Sequence, residues 1–202
     1  MLQNTNICDS EVLSMNPSEN PIAVQSKQWI IQSFLTLMQE KTFQEITISE
    51  IAERAQLVRK TFYRNFDSKE DVLQACFDSF VLEFIEELEK LPSITMHDAL
   101  YRLFTLCEQH KAFFLALRKS RMLGFFLEQW NVALPHIHEL MLNKIVDFPH
   151  TSTPKQLKYL LAFNVGGTWN ILMNWIQEGM TETPAQLADM ISEVASSALH
   201  QK

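Results

Sequence analysis

The sequence predicts an all-α fold, and three observations carry that expectation. Apolar residues recur at three- and four-residue spacing along most of the chain, the period of a helix face and not of a strand. Glycine is confined to Gly124, Gly166, Gly167 and Gly179, which leaves long stretches free of the residue that most often interrupts a helix. A hydrophobic content of 47% over 202 residues supplies one or two substantial cores and excludes wholesale disorder.

Taken in order, residues 1–20 are polar, acidic by three charges and end in "NPSENP", and they read as a mobile leader. Val24 to Lys41 form a first amphipathic helix through Ile30, Phe34, Leu37 and Met38. "TFQEITISEIAERA" then contains a capping box, in which Thr47 caps a short helix and Glu50 reaches back to the Thr47 amide, turning Ile51 and Ala52 inward. Residues 56–59 separate that helix, which ends near Ala55, from the next, "RKTFYRNF". Ser68 caps a long helix with the stripe Leu73, Phe77, Phe80, Phe84 and Leu88, flanked by Cys76 and Val81 and closed by Pro92. One helix carries Leu100, Leu103, Phe104 and Cys107, another runs through "KAFFLALRKS", and one or more lie between Met122 and Val146 with a break near Pro135. The last two begin after Pro154, with Leu157, Leu161, Val165, Thr168, Leu172 and Trp175, and at Pro184, with Leu187, Ile191, Val194 and Ala198.

Several function classes lose support at this level. Cys8, Cys76 and Cys107 form no Cys-x-x-Cys pair, which argues against a disulfide framework or a zinc site and fits a reducing cytoplasm. His136-x-His138 has spacing unsuited to one helix face, and His97, His110, His150 and His200 are scattered, so no metal is expected. "NVGGT" matches neither a P-loop nor a dinucleotide fingerprint, and no cofactor or catalytic residue is implied. Glu83, Glu86, Glu87 and Glu89 read as a solvated face. The leader lacks the basic start and apolar run of a signal peptide, and no apolar stretch approaches the roughly 20 residues that span a bilayer, so neither secretion nor a membrane partner is expected.

The charge distribution is more informative. The chain carries −7 overall, yet Arg54, Arg59, Lys60, Arg64 and Lys69 against Asp67 give +4 locally and leave −7 − 4 = −11 for the remainder. On a helix, Phe62 and Phe66 share one side while Arg59, Lys60, Thr61, Tyr63 and Arg64 cover most of the rest. Two short helices joined by a four-residue turn, with a helix before and a long one after, make a helix-turn-helix unit whose second helix enters a major groove. Arg59, Lys60 and Thr61 then lie where base edges are reached, and Tyr63, Arg64 and Lys69 where phosphates pass.

Residues 43–73, "FQEITISEIAERAQLVRKTFYRNFDSKEDVL", resemble the DNA-binding segment of the TetR/AcrR transcriptional regulators, in which a helix-turn-helix is followed by Thr, an apolar residue, Tyr, two variable residues, Phe and then Lys-Glu. Here these are Thr61, Phe62, Tyr63, Phe66, Lys69 and Glu70. The resemblance implies phosphate contacts from Thr47, Tyr63 and Lys69, and groove contacts from Arg59, Lys60 and Thr61. The chain departs from the family where Gln56 replaces the usual turn Gly and Val58 a small hydroxyl residue. A left-handed non-Gly residue costs on the order of 1 kcal/mol, and valine cannot cap.

"AFNVGGTWNILMNWIQEGMTETPAQLADMI", residues 162–191, resembles one subgroup of the same family, whose last two helices pair across a two-fold axis. That implies a homodimer with Gly166, Gly167, Leu187, Ile191 and Val194 at the interface. It also implies an effector, small molecule or protein, held among the middle helices, where Phe104, Cys107, Phe126, Trp130, Trp169 and Met173 supply aromatic and soft surface. The expected organisation is a leader (1–20), a helix-turn-helix DNA-binding domain (21–70) and an effector-binding and dimerisation domain (71–202). The expected function is that of a cytoplasmic regulator binding a double-stranded operator, a repressor released by its effector. Two other readings stay open: a partner protein of the same fold that has lost operator binding, and a helical enzyme or carrier.

Overall fold

The computed structural model describes residues 21–142, 144 and 153–199, with the side chains of some residues between 134 and 199 left aside. The leader 1–20, with Cys8, lies outside these residues, as do His150, His200 and the side chains of His136, His138 and Val194. The described residues form nine α-helices: α1 (Pro21–Glu40), α2 (Ile48–Arg54), α3 (Arg59–Asn65), α4 (Lys69–Glu89), α5 (Met96–Gln109), α6 (Lys111–Lys119), α7 (Leu123–Leu142), α8 (Pro154–Gln177) and α9 (Pro184–Leu199). A 3-10 turn at Phe43–Glu45 joins α1 to α2.

Helix starts follow side-chain capping. Thr47 accepts from the Glu50 amide, and Glu50 accepts from the Thr47 amide, at 3.3 and 2.9 Å. Ser68 and Asp71 make the same exchange at 3.1 and 2.9 Å, launching α4 as expected. Thr95 with Asp98 and Thr183 with Gln186 repeat it for α5 and α9, the latter with Pro184 in the first turn. The expected break near Pro135 does not occur, for α7 is continuous through it. Proline removes the hydrogen bond to the carbonyl four residues back, but that carbonyl belongs to the exposed Asn131, where solvent is at hand to take the place of the lost donor.

By packing, the chain divides into two compact units, Met1–Glu83 with Ala112–Gln129, and Phe84–Lys111 with Trp130–Lys202. In the first, α1, α2 and α3 pack mutually. Their core holds Ile30, Phe34, Ile51, Ala52 and Phe62, with Phe34 edge-on to Phe43 at 6.1 Å. Beside them lies an aromatic cluster in which Phe126 of α7 meets Phe77, Phe80 and Phe114 at 4.9, 5.4 and 5.1 Å, all edge-on. In the second unit α5 and α9 pack together, Phe104 stands edge-on to Trp175 at 5.6 Å, and the Trp175 indole N–H donates to the Glu182 carbonyl at 3.0 Å. The apolar stripe of α4 is buried throughout, Leu73, Phe77 and Phe80 in the first unit and Phe84 and Leu88 in the second. Among the described residues no helix is long and apolar enough to cross a membrane, and no group of three or more His, Cys, Asp or Glu could hold a metal ion.

Candidate nucleic-acid interface

The turn before α3 is a Schellman motif. The Gln56 amide donates to the Glu53 carbonyl at 3.0 Å and the Leu57 amide to the Ala52 carbonyl at 2.9 Å, an arrangement that requires a left-handed residue between them. Gln56 adopts it, with φ of 56°. Val58 follows as the N-cap of α3 and makes no side-chain capping bond. Both departures from the family pattern are therefore accommodated without losing the turn.

α3 is seated by its phenylalanines. Phe62 and Phe66 are buried, their rings lie 6.1 Å apart, and the Lys27 ammonium stands 5.8 Å from the Phe66 ring. Around them Arg59, Lys60, Tyr63 and Arg64 are exposed, and Thr61 is half-buried. The Arg59 guanidinium donates to the Tyr63 hydroxyl at 3.4 Å, which ties the two side chains loosely together. No ion pair involves Arg59, Lys60 or Arg64 among the described residues.

The other two cations of the basic stretch are otherwise engaged. Arg54 makes a two-pronged pair with Glu40 at 2.5 and 2.8 Å, and the hydrogen bond from Arg54 holds the Glu40 carboxyl below its ordinary range. Lys69 was expected at a phosphate, but its ammonium donates to the carbonyls of Phe43, Gln44 and Ile46 at 2.7, 3.3 and 2.9 Å and lies 4.5 Å from the Phe43 ring. Since an ammonium has three protons, Lys69 is a strut between α4 and the 3-10 turn. Thr47 is similarly committed: its hydroxyl donates to the Glu50 carboxylate at 2.8 Å, and Lys41 pairs with that carboxylate too. The Lys41 bond first, then the Thr47 hydroxyl and amide, lower the Glu50 carboxyl to about 2.

Sequence reasoning missed Ser120, at the end of α6. Its buried hydroxyl accepts from the Phe43 amide at 2.9 Å, and its carbonyl accepts from the Gln44 side chain at 3.0 Å. The 3-10 turn that leads into the helix-turn-helix is thus gripped by Lys69 and by Ser120, 26 and 77 residues away. No local pattern signals such long-range contacts with backbone groups.

The residues expected around an effector are assigned to both units. Phe104, Cys107 and Trp130 are buried in the second unit, where Trp169 and Met173 are half-buried, and burial pushes the Cys107 thiol well up. Phe126 belongs to the first unit, enclosed by the Phe77, Phe80 and Phe114 rings, and is a core residue. Of the expected dimer residues, Leu187 is only 6% exposed within its own chain, which leaves little of it for a partner to cover. Ile191 and Gly166 are half-buried and Gly167 is exposed. A Cβ placed on either glycine would meet nothing within 4 Å, so no close approach within the chain requires them. The same helix exposes Tyr159 (64%) and Phe163 (75%), which the expected inner stripe of α8 left out.

Comparison with known proteins agrees with this geometry. Residues 30–76 match the family described as bacterial regulatory proteins, tetR family, and residues 95–197 match its transcriptional regulator C-terminal region. The uncharacterized HTH-type transcriptional regulator YxbF of Bacillus subtilis is 26% identical over 176 residues, 82% of this chain and 43% of that protein. The HTH-type dhaKLM operon transcriptional activator DhaS of Lactococcus lactis is 33% identical over 58 residues, 29% of this chain and 31% of that protein. Each match thus spans less than half the length of the curated relative. A solved structure of a dihydroxyacetone kinase operon activator, DhaS, superposes with a TM-score of 0.63 at 19% identity, covering 87% of this chain and 96% of that one, a likeness of fold. With its two matches together reaching from the first helix to the last, the chain belongs to the tetR family of bacterial regulatory proteins.

Proposed function

We propose that the chain is a sequence-specific DNA-binding transcriptional regulator that acts as a homodimer, each copy laying α3 in one major groove of a near-palindromic operator. The observation that carries this reading is α3 itself, where buried Phe62 and Phe66 hold the helix while Arg59, Lys60 and Arg64 stand exposed and without ion pairs among the described residues. Arg59, Lys60 and Thr61 reach base edges from its N-terminal end, and Tyr63 and Arg64 meet phosphates. Thr47 and Lys69 hold the surrounding frame. A chain of net charge −7 is repelled by DNA except where cations are concentrated, which orients the encounter.

In this reading residues 21–70 bind DNA, and residues 71–202 bind an effector and dimerise. The effector releases the operator by preferring the state that does not bind DNA, which makes the protein a cytoplasmic repressor. Tyr159, Phe163 and Gly167 of α8 form the uncovered face that a second copy closes. Membership of a family of regulators favours this over the enzyme or carrier reading. The relative DhaS is named an activator, so the sign of regulation belongs in the test.

That test pairs a gel shift on the DNA upstream of the chain's own gene with a reporter driven by it. A retarded complex that unrelated DNA does not displace, together with reporter output that falls when the protein is made, is the expected result. Equal binding to every duplex would instead favour the partner protein that has lost operator recognition.

A further inference from the structure

Val58 is an exposed apolar side chain that the fold itself does not use. It is 70% exposed, it sits at the N-cap of α3 with φ −77° and ψ 148°, and it makes no capping bond. Serine, threonine, asparagine or aspartate would serve the helix better at that position. Its neighbours Arg59 and Lys60 are exposed cations. Its own carbonyl accepts from the Thr61 and Phe62 amides at 2.8 and 3.4 Å, which fixes its backbone in the first turn of α3. A β-branched side chain on a fixed backbone has few rotamers, so its two methyl groups are presented in a defined direction with little freedom to lose. In a major groove, the feature that such a group matches and a hydroxyl does not is the C5-methyl of thymine, which apolar side chains read by contact.

Resting on the DNA-reading function proposed above, we infer that Val58 is a specificity-determining residue: its methyl groups pack on a thymine C5-methyl in each half-site, beside the bases reached by Arg59 and Lys60. The contact turns an exposed, uncapped valine into a reader of a base edge that offers no hydrogen bond of its own.

The experiment uses the full chain and a duplex that it selects from a random-sequence pool, with thymines replaced singly by deoxyuridine so that only the methyl is removed. At one thymine per half-site, replacement should weaken wild-type binding about fourfold, and about fifteenfold when both half-sites are changed. Val58→Ser should bind the thymine and uracil duplexes equally, and serine can cap α3, so folding is preserved. Val58→Ala, which keeps only the Cβ methyl, should shrink the penalty below the wild-type value without adding a hydroxyl. A penalty of equal size in wild type and both variants, or no penalty at any thymine, overturns the inference while the DNA-binding reading stands. A pool from which no duplex is enriched overturns both.

Discussion

An ammonium group whose three protons already meet three carbonyls can reach a phosphate only by letting the frame go, and that makes Lys69 a residue with two separable predictions. Lys69→Met should cost about 1.5–3 kcal/mol of stability, because charge-assisted bonds to Phe43, Gln44 and Ile46 are lost together. Its dependence of log affinity on log salt should match wild type. Arg64→Ala should do the reverse, flattening that slope by about 1.8 for a dimer, since each phosphate contact contributes about 0.9, with an unshifted melting curve. A Lys69→Met protein that melts normally but binds with a flattened slope would return Lys69 to the phosphate contacts. Glu50 carries a second residue-scale effect. Its carboxyl falls from 4.5 to about 2 on folding, chiefly through Lys41. A lowered carboxyl binds its proton more tightly when unfolded, so its contribution is complete above 4.5 and lost as the pH falls toward about 2. Glu50→Gln should therefore make the acid limb of the stability curve shallower within that window, as measured by urea midpoints, and leave its shape near neutrality unchanged.

The elements were legible where their causes are local. Thr47 and Glu50 lie three residues apart, so their capping exchange follows from spacing alone, as does Ser68 as the cap of α4; the return bond from Asp71 is added by the structure. The left-handed turn at Gln56 was legible through the family resemblance, although the residue there is unfavourable to it. Gln56→Gly should raise stability by roughly 0.5–1 kcal/mol by removing a Cβ from that conformation, a gain limited by the freer unfolded chain. A lower melting temperature would mean that the glutamine side chain supports the turn. Pro135 misled because a proline's cost depends on whether the stranded carbonyl is wet, and Asn131's exposure is a tertiary fact. Ser120 was illegible for the same reason, since its partner is a backbone amide. Ser120→Ala leaves the buried Phe43 N–H unpaired and should cost about 1–3 kcal/mol. Thermal unfolding of Ser120→Ala, compared with exposed Ser49→Ala as a control, measures it.

For the whole molecule, helical periodicity identifies which face of α8 is apolar most often, and that face is the inner one, where Leu172 and Trp175 are buried. It says nothing about a second apolar face until the chain's own packing has been subtracted. Only then do Tyr159 and Phe163 stand out, one turn apart and well exposed, while Leu187 drops away because its own chain already covers it. Gly167 lies one turn beyond Phe163, exposed and with open space where a Cβ would stand, so an approaching helix could come close there. If this face closes the proposed dimer, Phe163→Glu places a charge in a desolvated apolar contact, and sedimentation should shift from dimer toward monomer. Gly167→Leu should weaken the same contact by about 1–3 kcal/mol through overpacking. The consequence for DNA is separable from any damage to α3, because two tethered reading helices bind two half-sites with a gain that a monomer forfeits. Phe163→Glu should therefore lose most of its affinity for a two-half-site operator while its affinity for a single half-site, measured on a shortened duplex, stays at the wild-type value. A Phe163→Glu protein that sediments as wild type does and still holds the full operator would place the two-fold contact on another face.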